Sequence, residues 1–155
     1  MGSPDHPRVL VLGYGNPGRE DDGLGPAAAA QIQQLGWRNV TVLDNYQLVI
    51  EDSADVAAAD VVWFVDASKT CPEPYVVKSL SPSLYAEFTT HVVQPEVILA
   101  LAQMYYGKSP QAYLMGIRGY QFEFREGLTA RAAQNLVSAA AALTKMIAST
   151  QGTSQ

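Results

Sequence analysis

Four polar side chains in this sequence fall where strands give way to loops: Asp22, Asp44, Asp66 and His91. Carboxylates placed close together support general acid–base chemistry when one holds a proton that its neighbour lacks. Carboxylate oxygen and imidazole nitrogen also suit divalent first-row metals such as nickel and zinc. Oxygen and imidazole are the ligands to expect, because Cys71 is the sole cysteine of the 155 residues and permits neither an internal disulfide nor a multi-cysteine zinc site. It stands in Thr70-Cys71-Pro72 with no base predicted beside it. No Ser/His/Asp order is persuasive either, so a covalent route is not expected.

These residues depend on the elements around them. Arg8-Val9-Leu10-Val11-Leu12 reads as a buried strand, stopped by the loop Gly13-Tyr14-Gly15-Asn16-Pro17-Gly18. Pro26 suits a first helical turn, and Ala27 to Leu35 continues as helix until Gly36. Val40-Thr41-Val42-Leu43 and Val61-Val62-Trp63-Phe64-Val65 are strands that run into Asp44 and Asp66, with a short helix between Glu51 and Ala59. Tyr75-Val76-Val77 and Ala112 to Ile117 are the fourth and fifth strands. Pro95 opens a helix with an apolar stripe of Val97, Ile98, Leu101, Met104 and Tyr105, closed by Gly107; Thr129 N-caps a last helix with the stripe Leu136, Val137, Ala140, Leu143 and Ile147.

Alternating strands and helices predict one α/β domain over residues 1–155: a mainly parallel, twisted sheet of about five strands with helices on both faces, and flexible tails at 1–7 and 149–155. In such a sheet the ligand crevice lies beyond the carboxyl ends of the strands. That rule puts Asp22, Asp44, Asp66 and His91 on one edge. Each also has a plain reading: Asp22 as a favourable charge before a helix, Asp44 and Asp66 as turn formers, His91 as a solvated side chain. Arg118, at the end of the fifth strand, has two readings, a group that orients a substrate carboxyl or peptide carbonyl and a surface ion pair; the ion pair is the one expected, which leaves it outside the site.

Composition removes several classes. The net charge of −5, with no run of Lys or Arg, argues against a nucleic-acid surface. No apolar stretch approaches the roughly 20 residues of a membrane span. Met1-Gly2-Ser3-Pro4-Asp5-His6-Pro7 lacks the charged start and apolar core of a secretory leader, so the expected location is the cytoplasm.

The glycine-rich loop admits three readings. Gly13-x-Gly15-x-x-Gly18 between a strand and a helix, with Asp44 ending the next strand, meets the outline of a dinucleotide-binding turn. Glu20, Asp21 and Asp22 would repel a pyrophosphate there. Gly15-Asn16-Pro17-Gly18 is similar to peptidyl-tRNA hydrolases, but the threonine and Arg-His-Asn segment with which those proteins continue are absent. The whole segment Leu12-Gly13-Tyr14-Gly15-Asn16-Pro17-Gly18-Arg19-Glu20-Asp21-Asp22-Gly23-Leu24-Gly25 closely resembles the opening signature of NiFe-hydrogenase maturation endopeptidases, and the resemblance extends over nearly the whole chain.

That resemblance implies metal-binding and catalytic roles for Asp22, Asp66 and His91. It implies an aspartic-type or metal-assisted endopeptidase that removes the C-terminal extension of a nickel-loaded hydrogenase large-subunit precursor. Nickel then arrives with the substrate; no permanent cofactor is expected, and other divalent metals are able to occupy the site. The segment Asp44-Asn45-Tyr46-Gln47-Leu48-Val49-Ile50-Glu51 departs from the Gly-Thr-rich stretch of many relatives and is similar to the branch serving soluble NAD(P)-linked hydrogenases. It makes Asp44 and Gln47 candidates for substrate contact. The alternatives are a nonenzymatic metal-binding or hydrogenase-assembly module, and a small nucleotide-binding domain.

Overall fold

The computed structural model describes residues 6–85 and 93–150. In chain order the elements are β1 (Val9–Tyr14), a 3-10 turn (Glu20–Gly23), α1 (Leu24–Gln34), β2 (Val40–Asn45), α2 (Asp52–Ala57), β3 (Val61–Ser68), β4 (Tyr75–Leu80), α3 (Pro95–Tyr106), β5 (Gln111–Arg118) and α4 (Ala130–Thr150). The strands form one sheet in the order β2-β1-β3-β5-β4. β1 pairs in parallel with both β2 and β3, and β3 with β5; β4 runs antiparallel at the edge beside β5. The expected mainly parallel α/β sheet with helices on both faces is therefore what forms.

Strand alternation divides the core in two. Val9, Val11, Val61, Trp63, Val65, Met115 and Ile117 face α1 and α4, where Leu24, Ala28, Ile32, Leu136, Ala139, Leu143 and Ile147 meet them. Leu10, Leu12, Tyr14, Val62 and Phe64 face the other way, against Val56 of α2 and Ile98, Leu99 and Ala102 of α3. Near-continuous apolar strands are the mark of a sheet covered on both sides. β1 is buried along its whole length.

Two helical stripes differ from the expected ones. Met104 and Tyr105 of α3 are exposed, as is Val137 of α4. In α3 two overlapping stripes compete, and the one containing Ala102 faces inward because α3 packs on α2, where a small side chain admits close approach. In α4 the inward stripe runs through Ala132, Leu136, Ala139, Leu143 and Ile147, with spacings of four, three, four and four residues, and Val137 lies one position off it. Thr129 caps α4 as expected: its Oγ1 accepts the Ala132 N–H at 3.3 Å. Gly107 ends α3 in the left-handed conformation, with φ of 67°.

The order of the strands matters for function. The chain leaves β1 toward β2 on one side and later builds β3 and β5 on the other, so the sheet reverses its winding between β1 and β3. The loops after these two strands diverge and leave a crevice at their carboxyl ends.

Candidate active site

That crevice is a cleft of about 580 Å³ lined by Tyr14, Gly15, Asn16, Arg19, Asp22, Tyr46, Gln47 and Asp66. Asp22 comes from the 3-10 turn that follows β1, and Asp66 from β3. The turn-former reading of Asp66 does not hold, whereas Asp22 keeps its place just before α1. Asp22 makes no cap for α1, whose N-cap Gly23 has no side-chain bond; its Oδ2 accepts the Asn16 N–H at 2.7 Å. Asp66 does not terminate its strand, which continues to Ser68, and its Oδ1 accepts the Ala67 N–H at 2.8 Å.

Asp66 is the most perturbed carboxyl of the cleft. Burial raises its pKa from 3.8 to about 7, the nearby Asp22 carboxylate adds to the rise, and the Ala67 N–H and the Tyr14 hydroxyl work against it by bonding to the charged form. Tyr14 itself is held well above its ordinary value by burial and by the charges of Asp66 and Glu96, so it remains a donor to Asp66. At neutral pH one carboxyl of the pair thus stands near its titration midpoint, the condition for giving or taking a proton.

The glycines of the loop serve packing. Gly15 has φ of 141°, and a Cβ there would collide with the Asp22 carbonyl. A Cβ on Gly25 would come within 2.5 Å of the carbonyl oxygens of Tyr14 and Val65, so α1 starts in direct contact with the ends of β1 and β3. The Asn16 amide that a phosphate would require is already bound by the protein's own Asp22. These features do not fit the dinucleotide reading.

Asp21 has a role that the sequence analysis missed. It is fully buried. Burial by itself would raise its pKa; bonds to Thr129, Tyr120 and Gln121 prevail and hold it below the usual value. Its Oδ2 accepts from Tyr120 N at 2.8 Å and Thr129 Oγ1 at 2.8 Å, and its Oδ1 from Thr129 N at 2.8 Å. Residues 119–129 are thereby strapped against the 3-10 turn. Glu20 adds to the strap: its N–H donates to the Arg125 carbonyl at 2.8 Å, and its Oε1 accepts the Glu123 N–H at 3.2 Å. Of the paired aspartates, the first anchors the loop and the second faces the cleft. Only the partner segment, some hundred residues away, distinguishes them.

The other expected site residues separate. Gln47 lines the cleft beside Asp22 and Asp66. Asp44 is exposed and is not among the lining residues; alternation along β2 sets it with Val40 and Val42, on the face opposite Tyr14 and Asp66. His91 lies outside the described residues. Among the described residues no three His, Cys, Asp or Glu side chains converge as a metal cluster; Asp22 and Asp66 are the two acidic residues lining the cleft. Tyr14 and Glu96 were not anticipated. Tyr14 had a signal, since the parallel register Gly13 with Val65 carries it next to Asp66. Glu96, in the first turn of α3, had none.

No protein-family model matches the sequence. Curated proteins give no match either. Solved structures do. The chain is similar to the NiFe hydrogenase maturation protease HycI from Thermococcus kodakarensis, with TM-score 0.74, 20% identity, and coverage of 90% of this chain and 92% of that one. It is equally similar to the hydrogenase maturating endopeptidase HybD from E. coli, with TM-score 0.74, 21% identity, and coverage of 90% and 91%. A solution structure of an endopeptidase from Escherichia coli aligns with TM-score 0.71 and 21% identity over 92% of this chain and 93% of that one. The chain therefore has the fold of the hydrogenase maturation proteases.

Proposed function

We propose that this protein is an endopeptidase that removes the C-terminal extension of a nickel-loaded NiFe-hydrogenase large-subunit precursor. The observation that carries the reading is the carboxyl pair at the sheet's winding reversal, with Asp66 raised to about 7 beside Asp22. A maturation-protease fold and the loop signature support it.

The residues of this chain have distinct tasks. Asp22, fixed by the Asn16 N–H, draws a proton from water near the scissile carbonyl. Asp66, with a proton to give near neutrality, protonates the departing amine. Tyr14 orients Asp66 through its hydroxyl. Gln47, with amide donor and acceptor groups, contacts the backbone of the substrate peptide.

Asp22 and Asp66, with His91 as the third residue the loop signature implies, would offer carboxylate and imidazole donors of the kind nickel takes. Nickel belongs to the substrate in this reading, and the protease needs no permanent cofactor. Held by these residues, such a metal would serve for recognition of a correctly loaded precursor and as a Lewis acid toward the carbonyl. The cytoplasm is the location this reading expects; no described helix is long and apolar enough to cross a membrane. The segment containing Gln47 and Leu48 favours the precursor of a soluble NAD(P)-linked hydrogenase as partner.

The test is incubation of nickel-loaded precursor with the protein, read by mass spectrometry of the large subunit. Loss of the extension is expected, together with loss of that activity in Asp22→Asn and His91→Ala variants whose circular dichroism is unchanged. Full-length precursor in a reaction that a cognate protease completes would overturn the reading. A stable complex without cleavage would instead make the chain a nonenzymatic assembly module.

A further inference from the structure

Arg118 forms no ion pair among the described residues; the pairs there are Arg8 with Asp60 and Arg131 with Glu73. Its guanidinium is held in place nonetheless. Nη1 donates to the Cys71 carbonyl at 2.8 Å, and the group lies 5.2 Å from the centroid of the Tyr120 ring. Nε is buried with no hydrogen-bond partner. An arginine fixed on two sides with a buried donor unsatisfied is a pre-organised receptor for a planar oxyanion.

A second cation shares the site. Arg118 and Lys69 line a pocket of about 430 Å³ with Phe122 and Glu123, and the Lys69 ammonium sits 4.8 Å from the Phe122 ring centroid. The Glu123 carboxylate makes no ion pair with either cation among the described residues. The neighbouring Glu73 bonds to Arg131 and the Tyr120 hydroxyl, and the Arg118 charge acts on it without a bond. Lys69 and Arg118 are thus two cations in one recess that no carboxylate bonds among the described residues, in a chain of net charge −5.

The recess also lies close to the cleft. Asp66 pairs with Gly116 across β3 and β5, and Arg118 is two residues further on. Strand spacing and rise then separate the Asp66 and Arg118 Cα atoms by roughly 8 Å, two to three residues of extended peptide. We propose that the Lys69–Arg118 pocket binds a carboxylate of the substrate peptide, a few residues from the bond that is cut. This rests on the endopeptidase reading for the identity of the ligand, while the pocket's affinity for a carboxylate stands independently.

The experiment is an NMR titration of the 15N-labelled full chain with three peptides: acetyl-Gly-Gly-Glu amide, acetyl-Gly-Gly-Gly with a free carboxylate, and acetyl-Gly-Gly-Gly amide. Saturable shifts of the Arg118 Nε–H and the Gly119 amide are expected with carboxylated peptide and not with the neutral one. The tighter of the two carboxylated probes tells a side-chain carboxylate from a terminal one. Lys69→Gln should weaken binding about tenfold, the loss of one charge-assisted contact, and Lys69→Arg should restore it. Absence of shifts at Arg118, or equal shifts with the neutral peptide, overturns the proposal. None of these readouts requires cleavage, so failure of the endopeptidase reading leaves them interpretable. Where the precursor is processed, Lys69→Gln should raise KM by more than it lowers kcat; an unchanged KM removes the assignment of the pocket to substrate.

Discussion

Replacing Asp66 by Asn removes the charge from the cleft while retaining an oxygen that accepts the Ala67 N–H. In the folded protein Asp66 titrates at about 7, against 3.8 without its surroundings, with burial the first cause and Asp22 adding to it. The shift is roughly three units, and at 1.36 kcal/mol per unit the ceiling is about 4 kcal/mol. The sign follows from proton linkage. Below 3.8 both folded and unfolded chains hold the proton and pH has no effect through this group. Between 3.8 and about 7 the unfolded chain releases its proton first, so stability falls as pH rises; above 7 the loss is complete. Asn has no proton to release.

The variant should therefore match the wild type near pH 4 and exceed it progressively up to pH 8. Local relaxation and water in the cleft reduce the ceiling, and a gain of about 2 kcal/mol at pH 8 is expected, worth roughly 4–8 °C in Tm for a chain of this size. Urea unfolding of both proteins at pH 4, 5, 6, 7 and 8 measures it, and the difference between them cancels other titrating groups. A difference that stays constant across this range would refute the assignment of a raised pKa to Asp66. The same substitution should abolish processing, so that a more stable protein is an inactive one.

Further substitutions separate the roles of neighbouring groups. Tyr14→Phe removes a donor that favours ionised Asp66, so the alkaline limb of the pH profile of kcat/KM, where Asp66 loses the proton it must give, should move upward, with unfolding free energy changed by about 1 kcal/mol. Asp21→Asn should cost about 2–4 kcal/mol at pH 7 through lost charge-assisted bonds to residues 120–129. Because the Asp21 pKa is lowered on folding, its contribution is present above 3.8 and lost as pH falls below that, so the variant's deficit in urea titrations should shrink under acid. Gln47→Ala should raise KM for the precursor, whereas Asp44→Ala, on the other face of the sheet, should leave processing within twofold.

The sequence by itself determined the fold class, because apolar strands of five or six residues alternating with amphipathic helices have one economical solution, a parallel sheet covered on both faces. It also determined that Asp22 and Asp66 lie toward the carboxyl edge, since Asp22 follows β1, Asp66 comes late in β3, and the topology points both strands the same way. It did not determine which side of the sheet a strand-end residue faces. That depends on register, and one residue of difference sends Asp44 to the α1 face while Tyr14 and Asp66 share the other. Nor did it distinguish Asp21 from Asp22, identical neighbours whose fates are decided by the amides of Tyr120, Gln121 and Thr129. The inward faces of α3 and α4 exclude Met104, Tyr105 and Val137, because an alanine against a close neighbour packs as firmly as a larger side chain while periodicity weighs the larger one more. Tertiary structure alone decided the chemistry of Asp66, whose pKa is a property of its burial and of an aspartate 44 positions earlier in the chain.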